Sequence, residues 1–159
     1  MPIAAVPAIH SPAVEQVVND PAVFRWHVRV YFEDTDAAGI VYYANYLKFF
    51  ERCRTEWLRS LGIDQRELAQ RERLQFVVAD LAVQYHRPAR LDDALQVDAR
   101  IVERARSYLV FSQQARRGAE LLASGRVKVA CVDAGRLTPV RLPSQLLDRL
   151  TMPPAPGNT

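Results

Sequence analysis

From Trp26 to Phe32 the chain alternates: Trp26, Val28, Val30 and Phe32 are apolar, with His27, Arg29 and Tyr31 between them. A period of two marks a β-strand with one buried face, so a first strand is predicted over 26–32. Beyond Gly39 the period changes. Tyr46, Phe50, Cys53, Trp57 and Leu61 recur at helical spacing opposite Lys48, Glu51, Arg52 and Arg59, which predicts one long helix with one apolar stripe. Gly62 predicts its end, as a left-handed residue just past the last turn.

The second half returns to period two four times. Val77, Ala79, Leu81, Val83 and Tyr85 share the first predicted face; Leu95, Val97, Ala99 and Ile101 share the next. Leu109, Phe111, Gln113 and Ala115 form the third, and Leu121, Ala123, Gly125, Val127, Val129 and Cys131 the last. Residues 87–93 and 116–118 read as turns, and 144–150 as a short helix. Strand, long helix, then four strands predicts an α+β domain whose last three strands form an antiparallel meander, with the helix covering the sheet's apolar face. Prolines at 2, 7, 12 and 21 interrupt the opening segment too often for a strand or long helix. Residues 1–23 and 151–159 therefore read as disordered tails around a domain at 24–150.

Composition narrows the class. A chain of 159 residues, 49% hydrophobic and 25% charged, suits one soluble domain with a single core. The net charge of +3 is spread over mixed-sign sequence, which falls short of the basic patch of a nucleic-acid binder but tolerates a phosphate-bearing ligand. Cys53 and Cys131 lie far apart inside apolar patterns, as buried thiols do in a reducing, cytoplasmic setting. No basic-then-apolar leader opens the chain, and no apolar run approaches the ~18 residues of a membrane span.

The candidate chemistry sits where the first strand meets the helix. Asp34 and Asp36 precede Gly39, but a calcium loop beginning at Asp34 would need oxygen ligands where Ala38 stands and a glutamate where Asn45 stands. There is no G-x-S-x-G turn; Cys53 lies on the apolar stripe; His10, His27 and His86 are isolated and lack zinc-site spacing. No metal or cofactor is expected, and the carboxylates remain. A carboxylate just upstream of a helix start stands beside unpaired backbone N–H donors, an arrangement able to split an acyl compound. On composition alone, a turn-forming role explains Asp36 equally well. The aromatic run Tyr42, Tyr43, Tyr46, Phe49 and Phe50 is first explained as core packing.

The stretch from Tyr31 to Tyr42, followed by Ala44-Asn45-Tyr46-Leu47-Lys48-Phe49-Phe50-Glu51-Arg52 and Arg54-Thr55-Glu56-Trp57-Leu58-Arg59, resembles the YbgC-like acyl-CoA thioesterases associated with the Tol-Pal system. These form part of the 4-hydroxybenzoyl-CoA thioesterase branch of the hotdog superfamily. The similarity continues through Phe76-Val77-Val78, the segment from Pro88 to Asp93, and Val129-Ala130-Cys131-Val132-Asp133. It implies a five-stranded antiparallel sheet wrapped around the helix, in a homodimer or a tetramer of paired dimers with the site at the dimer interface.

Within the D-x-D-x-x-G motif, the resemblance assigns catalysis to Asp36, as nucleophile or general base, and leaves Asp34 to support the loop. The oxyanion site falls at the helix start near Tyr43. Many members carry histidine at that position; a backbone role survives the difference, whereas an imidazole role does not. With tyrosine in that place, Tyr43 and Tyr46 are expected to line the acyl cavity instead, and the resemblance implies that Arg104 and Arg106 hold the phosphates of coenzyme A, which is part of the substrate rather than a cofactor. Two other readings accompany it. A hotdog hydratase would require a histidine beside a carboxylate, and His27 lies on the wrong side of the motif. A weakly catalytic scaffold would bind acyl carrier protein or Tol-Pal-linked envelope proteins.

Overall fold

The computed structural model describes residues 22–151. Of the tails expected over 1–23 and 151–159, residues 1–21 and 152–159 lie outside the described residues, and Thr151 is the last residue of the final helix. The elements run β1 (Phe24–Arg29), α1 (Asn45–Ser60), a short α2 (Gln65–Glu67) continuing into a π-helical turn (Leu68–Glu72), β2 (Leu74–Tyr85), β3 (Ala94–Arg104), β4 (Tyr108–Arg117), β5 (Glu120–Asp133) and α3 (Ser144–Thr151). They build one sheet of order β1-β3-β4-β5-β2 in which every neighbouring pair is antiparallel. The expected meander is β3-β4-β5. Strands β1 and β2, which flank α1 in sequence, occupy the two outer edges, and this is the hotdog arrangement. No helix among the described residues is long and apolar enough to cross a membrane.

Helix α1 lies across one face of the sheet and buries Phe49, Phe50, Cys53 and Trp57. Trp57 meets Phe111 of β4 edge-on at 6.0 Å and stacks on Phe24 of β1 at 6.1 Å, so one indole ties the helix to a central and an edge strand. The Cys53 thiol donates to the Val97 carbonyl at 3.6 Å, and burial pushes its pKa up, which keeps it neutral. Both cysteines are free. Where Phe50 crosses β5 the strand carries Gly125, and a Cβ there would stand 2.8 Å from Phe50 Cε2. The helix can lie this close only because that position has no side chain. Gln113, polar on an otherwise apolar face, is fully buried and satisfied: its Oε1 accepts from Arg54 at 2.8 Å, and its Nε2 donates to the Phe50 carbonyl at 3.0 Å. At the far end, Gly62 donates to Arg59 and Ile63 to Leu58, the paired bonds of a Schellman stop, with Gly62 at φ +77° as expected.

Three features depart from the sequence reading. First, β1 ends at Arg29, not at Phe32. Arg29 pairs with Ala94, the first residue of β3, and Val30 is the last residue to bond that side, donating to Asp93 at 2.9 Å and accepting from Asp92 at 3.0 Å in the turn before β3. The chain instead turns through a 3₁₀ helix at Phe32–Asp34, because the Asp34 carboxylate reaches back to the Tyr31 N–H at 2.8 Å. Phe32, expected on the buried face, is 82% exposed.

Second, the register of β2 on β5 slips between Val78 and Asp80. A bulge reverses which face each residue shows, so Val77 and Ala79 leave the predicted face. Phe76, Val78, Leu81, Val83 and Tyr85 now stand opposite Cys131, Val129, Val127, Gly125 and Ala123.

Third, α2 carries no apolar stripe and was not predicted. Its cap is nevertheless visible in the chain: Asp64 accepts from the N–H groups of Arg66 and Glu67 at 2.8 and 3.1 Å.

Candidate active site

The two aspartates of the motif have opposite environments. Asp34 is buried, and its carboxylate accepts from the Tyr31 N–H at 2.8 Å and from Asn45 Nδ2 at 2.9 Å. Because Asn45 is the first residue of α1, Asp34 joins the end of the first strand to the start of the helix. Its carbonyl takes the Tyr42 N–H at 2.9 Å, completing the clamp.

Asp36 is exposed at the tip of the loop that this clamp holds. Its N–H donates to Ile40 and its carbonyl accepts from Gly39, both at 2.9 Å, while Thr35 and Val41 pair below it. Gly39 supplies φ +75° for this tight return. One carboxylate oxygen accepts the Ala38 N–H at 2.9 Å, which fixes the side chain and leaves the other oxygen free of any protein donor in the described residues. Ile40 also bridges to Arg90, and Val41 donates to Ala89 at 2.9 Å, so the loop is fastened to the β2–β3 turn as well.

Two residues past Val41 lies Tyr43. Its side chain is 62% exposed and stacks obliquely on Tyr42 at 4.7 Å. The Tyr42 hydroxyl is pushed above its ordinary range, first by its hydrogen bond with Tyr43 and last by the Asp36 charge, which puts the carboxylate within electrostatic reach of this pair. The helix start itself is bare. Its N-cap is Ala44, which has no side-chain acceptor, and the N–H groups of Tyr43 and Ala44 have no hydrogen-bond partner among the described residues. An exposed carboxylate and two unspent donors at the positive end of a helix are the parts that attack on a carbonyl requires.

Two expected site assignments change. Tyr46 is only 3% exposed; its ring packs on Phe49 and Tyr85, and its hydroxyl oxygen accepts the Ala89 N–H at 3.2 Å. It offers no surface to an acyl chain, because it is the first inward position of the helical stripe, and its role is to hold the helix start against the β2–β3 turn. Arg104 and Arg106 are exposed and lack ion-pair partners among the described residues, but they are remote from Asp36 in the same chain. Asp36 sits near the Ala94 end of β3, whereas Arg104 ends that 11-residue strand, about 33 Å away along it.

Elsewhere among the described residues there is no competing centre. No group of three His, Cys, Asp or Glu able to hold a metal occurs among the described residues. Asp98 is pushed up to about 6 by burial, but it lies on the face of β3 opposite the inward Val97 and Ala99, and its carboxylate is taken by the Gln114 N–H at 3.1 Å. An apolar cleft of about 120 Å³ beneath α1 is lined by Leu58, Phe76, Val78, Phe111 and Leu150 beside Arg54, about 15 Å along the helix from Ala44. Tyr85 is the site residue that sequence reasoning missed. It was assigned to a packing face, yet its hydroxyl donates to the Tyr43 carbonyl at 2.7 Å.

Comparison with known proteins gives the family. Residues 30–150 match the model of the thioesterase-like superfamily. The chain is 46% identical over 123 residues to the acyl-CoA thioesterase YbgC of Haemophilus influenzae, covering 77% of this chain and 90% of that one. It is 44% identical over 126 residues to the acyl-CoA thioester hydrolase YbgC of Escherichia coli O6:H1, covering 79% and 93%. Among solved structures, a probable thioesterase from Bartonella henselae superposes with a TM-score of 0.73 at 36% identity, over 77% of this chain and all of that one. The chain therefore belongs to the thioesterase-like superfamily and, within it, to the YbgC-like acyl-CoA thioesterases.

Proposed function

We propose that this protein hydrolyses acyl-CoA thioesters to a free acid and coenzyme A, with Asp36 as the reacting carboxylate and the N–H groups of Tyr43 and Ala44 as the oxyanion donors. One observation carries the assignment of roles: an exposed carboxylate, fixed through one oxygen by Ala38, stands on a loop leading into a helix start whose donors have no partner. The names of the curated relatives supply the thioester class.

Two routes fit the same atoms. In one, an Asp36 oxygen attacks the thioester carbonyl, the C–S bond breaks, the CoA thiolate leaves and takes up a proton, and water then cleaves the resulting anhydride. In the other, Asp36 takes a proton from water as the oxygen of that water attacks, with the same leaving group. Both put negative charge on the carbonyl oxygen, where one backbone donor is typically worth ~3–4 kcal/mol of barrier.

The complete site requires a second copy. Strand β2 is an outer edge of the sheet and exposes Val78, Leu81 and Tyr85 on its inward-facing side, a bare apolar edge that a soluble protein ordinarily covers. Within one chain, the Arg104–Arg106 hairpin lies at the end of the sheet where β2 begins, since Ser107 accepts from Cys131 and Phe76 pairs with Cys131. Antiparallel pairing of two β2 edges about a two-fold axis sets the Leu74 end of one copy beside the Tyr85 end of the other. The arginine hairpin of one copy then approaches the Asp36 loop of its mate, which gives Arg104 and Arg106 the phosphate role that a single chain denies them.

Thiol release from short, medium, long and aromatic acyl-CoAs, measured for the wild type and Asp36→Asn, tests the reading. Turnover by the wild type and a loss of about 10²- to 10⁴-fold in Asp36→Asn are expected. Inactivity on the whole panel, or an undiminished variant, overturns it. Negligible turnover together with capture of acyl carrier protein, unaffected by Asp36→Asn, favours the scaffold reading instead.

A further inference from the structure

One side chain from another element reaches into the backbone of the helix start. Tyr85 ends β2, and its hydroxyl donates to the carbonyl of Tyr43 at 2.7 Å. In a regular helix that carbonyl would receive the N–H four residues on, that of Leu47. Here the Leu47 N–H bonds to Ala44 at 3.1 Å, and the Tyr43 carbonyl is left to the phenol. The peptide joining Tyr43 to Ala44 is planar, so holding its carbonyl fixes the direction of the Ala44 N–H on the opposite side. A carbonyl that accepts a hydrogen bond also polarises its peptide, which makes that N–H a stronger donor.

Tyr85 is itself held in place. Its ring packs edge-on against Tyr43 at 6.4 Å and against Tyr46 at 5.5 Å, and Tyr46 is anchored through the Ala89 N–H. Burial, followed by the Tyr46 and Tyr43 charges, holds the Tyr85 hydroxyl above the ordinary tyrosine range, so it remains a donor through neutral pH.

We propose that Tyr85 is a positioning residue that sets the Ala44 oxyanion donor through the Tyr43 carbonyl of the same peptide. The inference rests on the thioesterase reading but can fail separately from it. Tyr85→Phe keeps both ring contacts and removes only the O–H. The expected result is a kcat about tenfold to a hundredfold lower, a KM within about twofold of the wild type and an unchanged melting temperature, accompanied by a displaced Ala44 amide resonance in ¹⁵N-labelled protein. An unchanged kcat beside an active wild type overturns this inference alone, as does a kcat loss that merely follows a lowered melting temperature. If the wild type is inactive on every acyl-CoA, the hydrolase reading fails. The Ala44 resonance then decides the clamp, and an unmoved signal overturns it.

Discussion

At the scale of single residues, the site depends on two aspartates two positions apart that do different work. Asp34 is 6% exposed and holds two donors, one from the backbone and one from Asn45. Asp34→Ala leaves both unpaired and removes the link between β1 and α1. A destabilisation of about 2–4 kcal/mol is expected, read as a lower denaturation midpoint. Asp36→Asn should leave that midpoint unchanged, since an amide oxygen can still accept the Ala38 N–H. Equal midpoints for wild type and Asp34→Ala would show that the clamp contributes nothing. Spacing alone identified the pair but could not rank its members, because which carboxylate is buried depends on a 3₁₀ turn absent from the alternation. The resemblance had already placed catalysis on Asp36. Tyr46 was misassigned for a related reason: local sequence does not reveal which aromatic of a run points inward.

The elements were more readable than the residues. Helix α1, its stop at Gly62 and the inward positions of β3 and β4 follow from periods that need only a few neighbouring residues. Strand β2 was readable in extent but not in facing, because its bulge is a relation to β5 and leaves no mark in the pattern of β2 itself. Gly125 shows the same dependence from the other side. Along β5 it occupies an ordinary inward position, and only the crossing of Phe50 makes its missing Cβ necessary. Gly125→Ala should therefore cost about 1–3 kcal/mol in chemical denaturation, as the helix is forced off the sheet. A cost near zero would mean that the Phe50 ring can turn aside.

For the whole molecule, the bare edge of β2 and the distance between Asp36 and the Arg104–Arg106 hairpin lead to one expectation. In solution the protein should have the mass of two chains or four, measured by light scattering, and Leu81→Arg at the middle of the exposed edge should yield single chains with much reduced turnover. A wild type that is monomeric and fully active would overturn the shared site.

Local sequence carried the order of the five strands and the long helix, that helix's inward stripe, the stop at Gly62 and, through the extended motif around Asp36, the family. These follow from interactions between residues close in the chain. The tertiary structure decided which aspartate is buried and which is presented, which way the first half of β2 faces, that Tyr46 belongs to the core, that Tyr85 meets the helix start, and that the arginine hairpin lies a strand's length from the carboxylate. Each of these depends on pairing or packing between residues distant in the chain, where one shifted register redirects every side chain beyond it.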